Sequence, residues 1–337
     1  MLVALYDGSD VLNLYQKDLR RLNSYEVLLK VSACGVCGTD IKILKGESHS
    51  NPPVVIGHEF CGHIEEMGKD VTTLSKGDFV SVDPNINCGY CRFCRSKKSN
   101  LCSNLKALGV DIDGGFAEYC IVPERQCYKL SKDIAPSHAA MLEPLSCALH
   151  GIQIAEIAVG DTVLIIGAGI IGIIMLKLAI LSGASNVLVS DVDEKRRLFA
   201  RSVGADYIID PNEIDVTKMI KDITEGGPEV VIECVGSTAS TEKAIEYVRD
   251  GGKVIIFGVS PIGEKISISP YEIFRRGLVI KGSFINPYTF APSVELMNSK
   301  RIDFDDIDIK SFSLNRIFEA FDNHVKRRSL KTIVELE

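Results

Sequence analysis

From about residue 160 the chain alternates short apolar runs with helical periods, and this alternation leaves few folds open. Thr162–Ile166 reads as a buried strand, followed by a glycine-rich turn and an apolar helix through Leu181. Asn186–Ser190, Tyr207–Ile209, Glu229–Ile232, Lys253–Phe257 and Leu278–Lys281 read as five further strands. Helical stretches such as Glu194–Ser202 and Ser240–Val248 lie between them. Strands alternating with helices predict an α/β fold with a doubly wound parallel sheet. The stretch Thr162–Leu181 has the length of a membrane span, but Gly167, Gly169, Gly172 and Lys177 interrupt it. Strand, turn and helix account for it without a bilayer.

The turn itself carries chemistry. Gly167-Ala168-Gly169-Ile170-Ile171-Gly172 has the GxGxxG spacing and stands where a dinucleotide fingerprint must stand, after a strand and at the start of a helix. Gly167 permits the tight turn, Gly169 lets the backbone approach a pyrophosphate, and Gly172 lets the helix pack on the sheet. The free N–H groups of the helix start, Ile171 among the residues there, then face the phosphates. Asp191 follows the second strand about 20 residues on, where a carboxylate accepts bonds from ribose hydroxyls and repels a 2′-phosphate, so NAD is expected over NADP. Of Lys195, Arg196 and Arg197, the default reading is a solvated helix face, with Arg196 a candidate to flank the adenosine. Gly258 and Val259 after the fifth strand, and Phe284 and Ile285 after the sixth, complete the candidate cofactor residues. The plainer alternative is a glycine-rich turn with no cofactor.

The first part of the chain has a different texture. Glu26–Val31, Val54–Ile56 and Asp78–Val82 read as strands among glycines and prolines, so this half is expected to be mostly β. The end of the chain reads as two amphipathic helices, Ala291–Ser299 and Leu314–Val325, and a strand, Thr332–Leu336, that returns to the first domain. The expected division is 1–145 with 286–337, and 146–285 as the dinucleotide domain. A length of 337 residues suits about two domains, and 46% hydrophobic with 25% charged residues suits a globular chain. A net charge of −7 argues against a nucleic-acid partner. The first residues carry neither a basic region nor an apolar core of signal-peptide length, so a cytoplasmic protein with no membrane partner is expected.

The 11 cysteines are odd in number and clustered, which favours metal over disulfides. Cys88, Cys91, Cys94 and Cys102 have the spacing C-x2-C-x2-C-x7-C in a polar loop. Four thiolates close a tetrahedral zinc site with no open position, a structural site. A zinc-ribbon module for nucleic acid is the other reading, against which the acidic charge and single knuckle stand. Cys37, His58, Glu59 and Glu143 are candidates for a second, open site. Singly each has an ordinary reading: a small core cysteine, a satisfied core histidine, a strand-edge carboxylate, a helix start. His58 and His63 are five residues apart among glycines, which excludes the helical metalloprotease motif.

In combination, these runs resemble the zinc-containing medium-chain dehydrogenases along nearly the whole chain. The matching segments are Cys37-Gly38-Thr39-Asp40, Gly57-His58-Glu59, the four-cysteine knuckle, Asp113 to Tyr119, Glu143-Pro144-Leu145 and Gly167 to Gly172. The resemblance implies a GroES-like catalytic domain, a Rossmann domain for NAD, and two zinc ions per subunit. It implies that Cys37, His58 and Glu59 hold a catalytic zinc, that Glu143 ligates directly or through a water, and that Thr39 relays the substrate proton. A dimer or tetramer is implied as well. Plain alcohol dehydrogenases carry cysteine at the position of Glu143 and threonine dehydrogenases tend to aspartate. Glutamate followed by Pro-Leu resembles the polyol branch, so a polyol and its ketose are the expected substrate pair.

The chain departs from the sorbitol enzymes of that family. Ile285-Asn286 replaces an Arg-Tyr pair, Ile43 a tyrosine and Lys42 a relay histidine, with Asn286 expected as a compensating polar group in the pocket. A different pentitol, a butanediol, a phosphorylated polyol of the galactitol-1-phosphate type or threonine are alternatives. From another class, the chain could be a non-catalytic protein that binds NAD and zinc.

Overall fold

The computed structural model describes residues 1–9 and 11–336. The chain forms two compact units, Met1–Ser146 with Asn286–Glu337, and Cys147–Ile285.

The second unit is built on six strands: β1 (Thr162–Ile166), β2 (Asn186–Ser190), β3 (Tyr207–Ile209), β4 (Val230–Glu233), β5 (Lys253–Ile256) and β6 (Val279–Gly282). They lie in the order β3-β2-β1-β4-β5-β6, and every pairing is parallel. This is the doubly wound topology read from the alternation. Val163, Leu164 and Ile165 are fully buried because helices cover both faces of a parallel sheet, and that explains their unbroken apolar run. The order reverses between β1 and β4, so the crevice at the carboxyl ends of these strands is where such a sheet takes a ligand. The helix Ile170–Leu181 buries Ile173, Ile174, Met175, Leu176, Leu178 and Ala179, and its apolar character is core packing. Among the described residues, no helix is long and apolar enough to cross a membrane. The helix Val216–Ile223 is absent from the sequence reading; only Val216 and Ile220, one turn apart, mark its buried face.

In the first unit a seven-stranded sheet is centred on Glu26–Gly35. That strand pairs antiparallel with Glu59–Met67, Tyr119–Pro123 and the C-terminal strand Lys331–Glu335. Val27, Leu29, Val31, Cys34 and Val334 from these strands join one core cluster. The register sets Gly35 directly opposite Glu59 and Ile333 opposite Gly35. Three distant stretches of sequence thereby meet at one place. The strand Ile309–Ser313, parallel to the last one, escapes the sequence reading because only Phe312 of its five residues is buried.

Candidate metal centres and dinucleotide turn

Cys37, His58 and Glu59 come together: one ligand atom from each lies within 4.8 Å of the others. Local structure sets each of them. Cys37 caps the helix Gly38–Leu44, and Asp40, in the first turn of that helix, accepts the Cys37 N–H at 2.9 Å. His58 follows Gly57, whose φ of 97° is left-handed and whose missing Cβ leaves room for Phe116 and Cys34. The run Asp113–Phe116 braces this turn from behind: Gly115 N donates to Gly57 O at 2.7 Å and Phe116 N to Ile56 O at 3.1 Å.

Asp40 also orients the imidazole. Its fully buried Oδ1 lies 3.3 Å from His58 Nδ1, close but poorly aligned for a hydrogen bond, which leaves Nε2 for a ligand. Burial works against a charged His58 ring, yet Asp40 and the Cys37 sulfur outweigh it and raise the pKa well above the ordinary value. A thiol, an imidazole and a carboxylate this close together fit a divalent cation with nitrogen and sulfur preferences.

Glu59 has a second partner that the sequence does not reveal. Lys331 Nζ, fully buried, donates to Glu59 Oε2 and lies 3.2 Å from Val36 O. Burial lowers the lysine's affinity for its proton, but the Glu59 carboxylate reverses that and raises its pKa. A side chain at Gly35 would fill the space these two groups share. The only signal in the sequence is a lysine in the apolar run Leu330–Val334, which ordinarily reads as a strand end facing solvent. Glu143 is 7% exposed and its carboxylate is outside the 4.8 Å group, though close enough to Lys331 to contribute to that raised pKa. Thr39 Oγ1 lies 3.8 Å from Cys37 Sγ. Asn286 does not act as a free polar group in a pocket. It is 2% exposed, and its amide bonds Ser146 Oγ and Asn85 Nδ2, both at 2.8 Å.

The four remaining candidate thiols, Cys88, Cys91, Cys94 and Cys102, also lie within 4.8 Å of one another. Gly89, at φ 78°, makes the tight turn between the first pair. The backbone N–H groups of Cys88 and Asn104 point at Cys102 Sγ at 3.3 and 3.4 Å. Hydrogen bonds from the Cys94 and Ser103 backbone hold the Cys91 thiol down to about 6, while burial and the neighbouring Cys91 push Cys94 up to about 12. Four such sulfurs cannot all be thiolates without a cation among them, so the donor set fits a closed tetrahedral metal.

In the second unit, Gly167 takes φ 103° and its N–H donates to Ser190 O at 2.7 Å. A Cβ on Gly172 would collide with the Gly167 carbonyl, whereas one on Gly169 would meet nothing nearer than Arg196 Nη1 at 3.9 Å. Gly167 and Gly172, the first and last glycines, are thus required by conformation and packing, and Gly169 between them leaves open space at the helix start. Asp191 accepts from Ala168 N at 2.7 Å and Asp193 N at 2.9 Å, one bond per carboxylate oxygen, which keeps a lone pair free on each. Arg197 is not solvated; it pairs with Asp210 at 2.9 Å and donates to Asp191 O at 2.7 Å. Gly258 packs where a Cβ would strike Gly236 N, Val259 and Phe284 are exposed, and Ile285 holds a left-handed φ of 46°, unusual for a β-branched residue. Sequence reasoning missed Glu233 at the end of β4. Its buried Oε1 accepts from Val235 N at 2.7 Å, Gly236 N at 2.9 Å and Ser240 Oγ at 2.8 Å, and so shapes the turn opposite the glycine loop.

An open thiol–imidazole–carboxylate cluster, a closed four-thiol cage and a parallel sheet with a glycine turn in one chain define a metal- and dinucleotide-dependent oxidoreductase. Residues 23–132 match the family described as alcohol dehydrogenase GroES-like domain, and residues 171–299 the family described as zinc-binding dehydrogenase. The chain is 36% identical to L-threonine 3-dehydrogenase of Thermococcus kodakarensis, over 92% of this chain and 90% of that protein. It is 32% identical to D-arabinitol dehydrogenase 1 of Uromyces fabae, over 99% of this chain and 97% of that protein. Among solved structures, a protein described as a zinc-binding dehydrogenase from Sinorhizobium meliloti 1021, bound to NADP, superposes with a TM-score of 0.96 at 37% identity, covering 99% of this chain and 98% of that one. The chain belongs to the zinc-containing medium-chain dehydrogenases.

Proposed function

We propose that this enzyme oxidises a secondary alcohol bearing a neighbouring oxygen, a polyol, to its ketone and passes the hydride to NAD. In this reading the first unit (1–145 with 286–337) binds metal and the second (146–285) the dinucleotide. The observation that carries it is the convergence of Cys37, His58 and Glu59 within 4.8 Å, with Asp40 behind the imidazole.

Each residue has a role in that reaction. Cys37, His58 and Glu59 would hold the catalytic zinc, and Glu143 would complete the set directly or through a water. Zinc supplies Lewis acidity toward an alcohol oxygen when bound. Thr39 takes the hydroxyl proton and hands it toward solvent, so that hydride can leave the carbon. Lys331 pairs with the buried Glu59 carboxylate and holds it in place. Cys88, Cys91, Cys94 and Cys102 hold a structural zinc that braces their lobe. The Gly167–Gly172 turn seats the pyrophosphate, Asp191 the ribose hydroxyls, and Arg196 flanks the adenosine beside the open face of Gly169. Gly258, Val259, Phe284 and Ile285 frame the nicotinamide half with main-chain groups.

A carboxylate-rich donor set with one thiolate is harder than a two-thiolate site, and suits a substrate offering two adjacent oxygens. Threonine is a second reading, favoured by the 36% identity to threonine dehydrogenases against 32% to the arabinitol enzyme. Its amino alcohol also presents two adjacent donors. Overall identity therefore does not follow the branch to which Glu143 points. An active homo-oligomer is expected, and β6 offers an unpaired sheet edge for it.

A substrate panel decides among these readings: C4–C6 polyols, their phosphates, butanediol and threonine, each with NAD and NADP. Turnover of polyols with NAD supports the proposal. Turnover of threonine alone moves the substrate, and binding of zinc and NAD with no turnover of any alcohol defeats the enzymatic reading.

A further inference from the structure

Asn286 is the first residue of the chain's return to the first unit, directly after the left-handed Ile285. Both hydrogens of its amide are used: Nδ2 donates to Ser146 Oγ at 2.8 Å and approaches Asp83 Oδ1 at 3.3 Å. Its Oδ1 accepts from Asn85 Nδ2 at 2.8 Å. Ser146, fully buried, donates onward from Oγ to Glu143 O at 2.6 Å, and its own carbonyl accepts from the buried Thr289 Oγ1 at 2.7 Å. Asp83 and Asn85 lie just before the first cysteine of the four-thiol cage, and Gln126 Nε2 ties their carbonyls together at 2.7 and 3.0 Å. One chain of polar contacts thus runs from the partly buried Asp83 and Asn85 at the base of the cage, through the buried Asn286 and Ser146, to the backbone of Glu143.

We propose that Asn286 is a positioning residue for the catalytic metal: by fixing the Ser146 hydroxyl onto the Glu143 carbonyl, it sets where the Glu143 carboxylate stands, and it links that carboxylate mechanically to the four-cysteine lobe. This rests on the reading of Glu143 as part of the metal's surroundings. The serine hydroxyl bonded back to a carbonyl in its own first helical turn has few other rotamers once Asn286 occupies its acceptor side. Without the amide, Ser146 Oγ, Asp83 and Asn85 are each left short of a partner in a buried place, and the first turn of the helix Leu142–Ala155 is free to shift. Aspartate cannot substitute, since it offers no donor and would face Asp83.

The test uses the full-length enzyme with cobalt(II) in the catalytic site, whose absorption bands report ligand geometry independently of turnover. Asn286→Ala and Asn286→Asp should shift those bands and lower kcat about 10- to 100-fold, while KM for NAD stays within about twofold. Ser146→Ala should act in the same direction, and the double variant Asn286→Ala/Ser146→Ala should be no worse than Asn286→Ala alone. If Asn286→Ala does not fold, Ser146→Ala carries the same expectation, because it deletes the hydroxyl that joins Asn286 to the Glu143 carbonyl. Unchanged bands and kcat in the variants, with loss of thermal stability alone, would overturn the proposal. Glu143→Gln is the reference. If it alters bands and turnover while Asn286→Ala alters neither, the metal-site reading stands and the proposal falls. If Glu143→Gln alters neither, both fall together.

Discussion

The two candidate metal clusters make opposite use of the chain. The cage draws four thiols from one short stretch of chain, residues 88–102, and offers nothing but sulfur. The open cluster draws Cys37 from a helix cap, His58 from a glycine turn and Glu59 from a strand, and mixes sulfur, nitrogen and oxygen. Behind the cage stand backbone N–H groups; behind the open cluster stand two buried charged side chains, Asp40 and Lys331. A closed shell of like donors needs only to be held shut. An open shell must keep a position for substrate, so its carboxylate and imidazole are held by groups outside the cluster. The difference teaches that the four-thiol cage is a local object and the open cluster a property of the whole first unit.

That contrast can be broken in several ways. Thr39→Ala should leave zinc content unchanged and slow turnover by about 10²- to 10⁴-fold, measured as kcat beside metal analysis; unchanged turnover would remove Thr39 from the relay. Lys331→Met should leave Glu59 as an uncompensated buried carboxylate. The metal-free protein should lose about 3–5 kcal/mol in chemical denaturation, and the zinc-loaded protein clearly less, since the metal replaces the lost cation. Equal losses with and without zinc would mean that Glu59 never meets the metal. The smallest effect concerns pH. Burial pushes the Asp83 carboxyl up to about 6 from an ordinary value of 3.8. Its folded pKa is therefore the higher one, so its contribution is fully present below about pH 4 and is lost as pH rises through about 6. The loss amounts to about 3 kcal/mol. Asp83→Asn should abolish this slope and raise stability near pH 7.5, because asparagine still accepts the Asn286 N–H; denaturation midpoints at pH 4.5 and 7.5 compare the two proteins.

The same contrast explains what the sequence made legible. The cage is visible as a spacing, and the second unit as an alternation, because Thr162–Ile166 and the glycine turn declare themselves within a dozen residues. The open cluster required three motifs to be joined by resemblance. Lys331 was invisible, since only the pairing of Lys331–Glu335 against Glu26–Gly35 carries it to Glu59. Asn286 was visible as a polar residue but misplaced as a pocket group, because nothing in its neighbours announces that Ser146, Asp83 and Asn85 converge on it. Asp40 stands in the Cys37–Asp40 run with no spacing that assigns it a role; its double duty, accepting the Cys37 N–H and facing His58, exists only in three dimensions.

The central claim is that one metal works and the other braces. Timed release of zinc to a chelator, followed together with turnover and near-UV circular dichroism, tests it directly. We expect one equivalent to leave first, with complete loss of turnover and an unchanged spectrum, and a second to leave slowly as the fold around residues 88–102 opens. Release of both in a single phase, or turnover that survives the first loss, would contradict it.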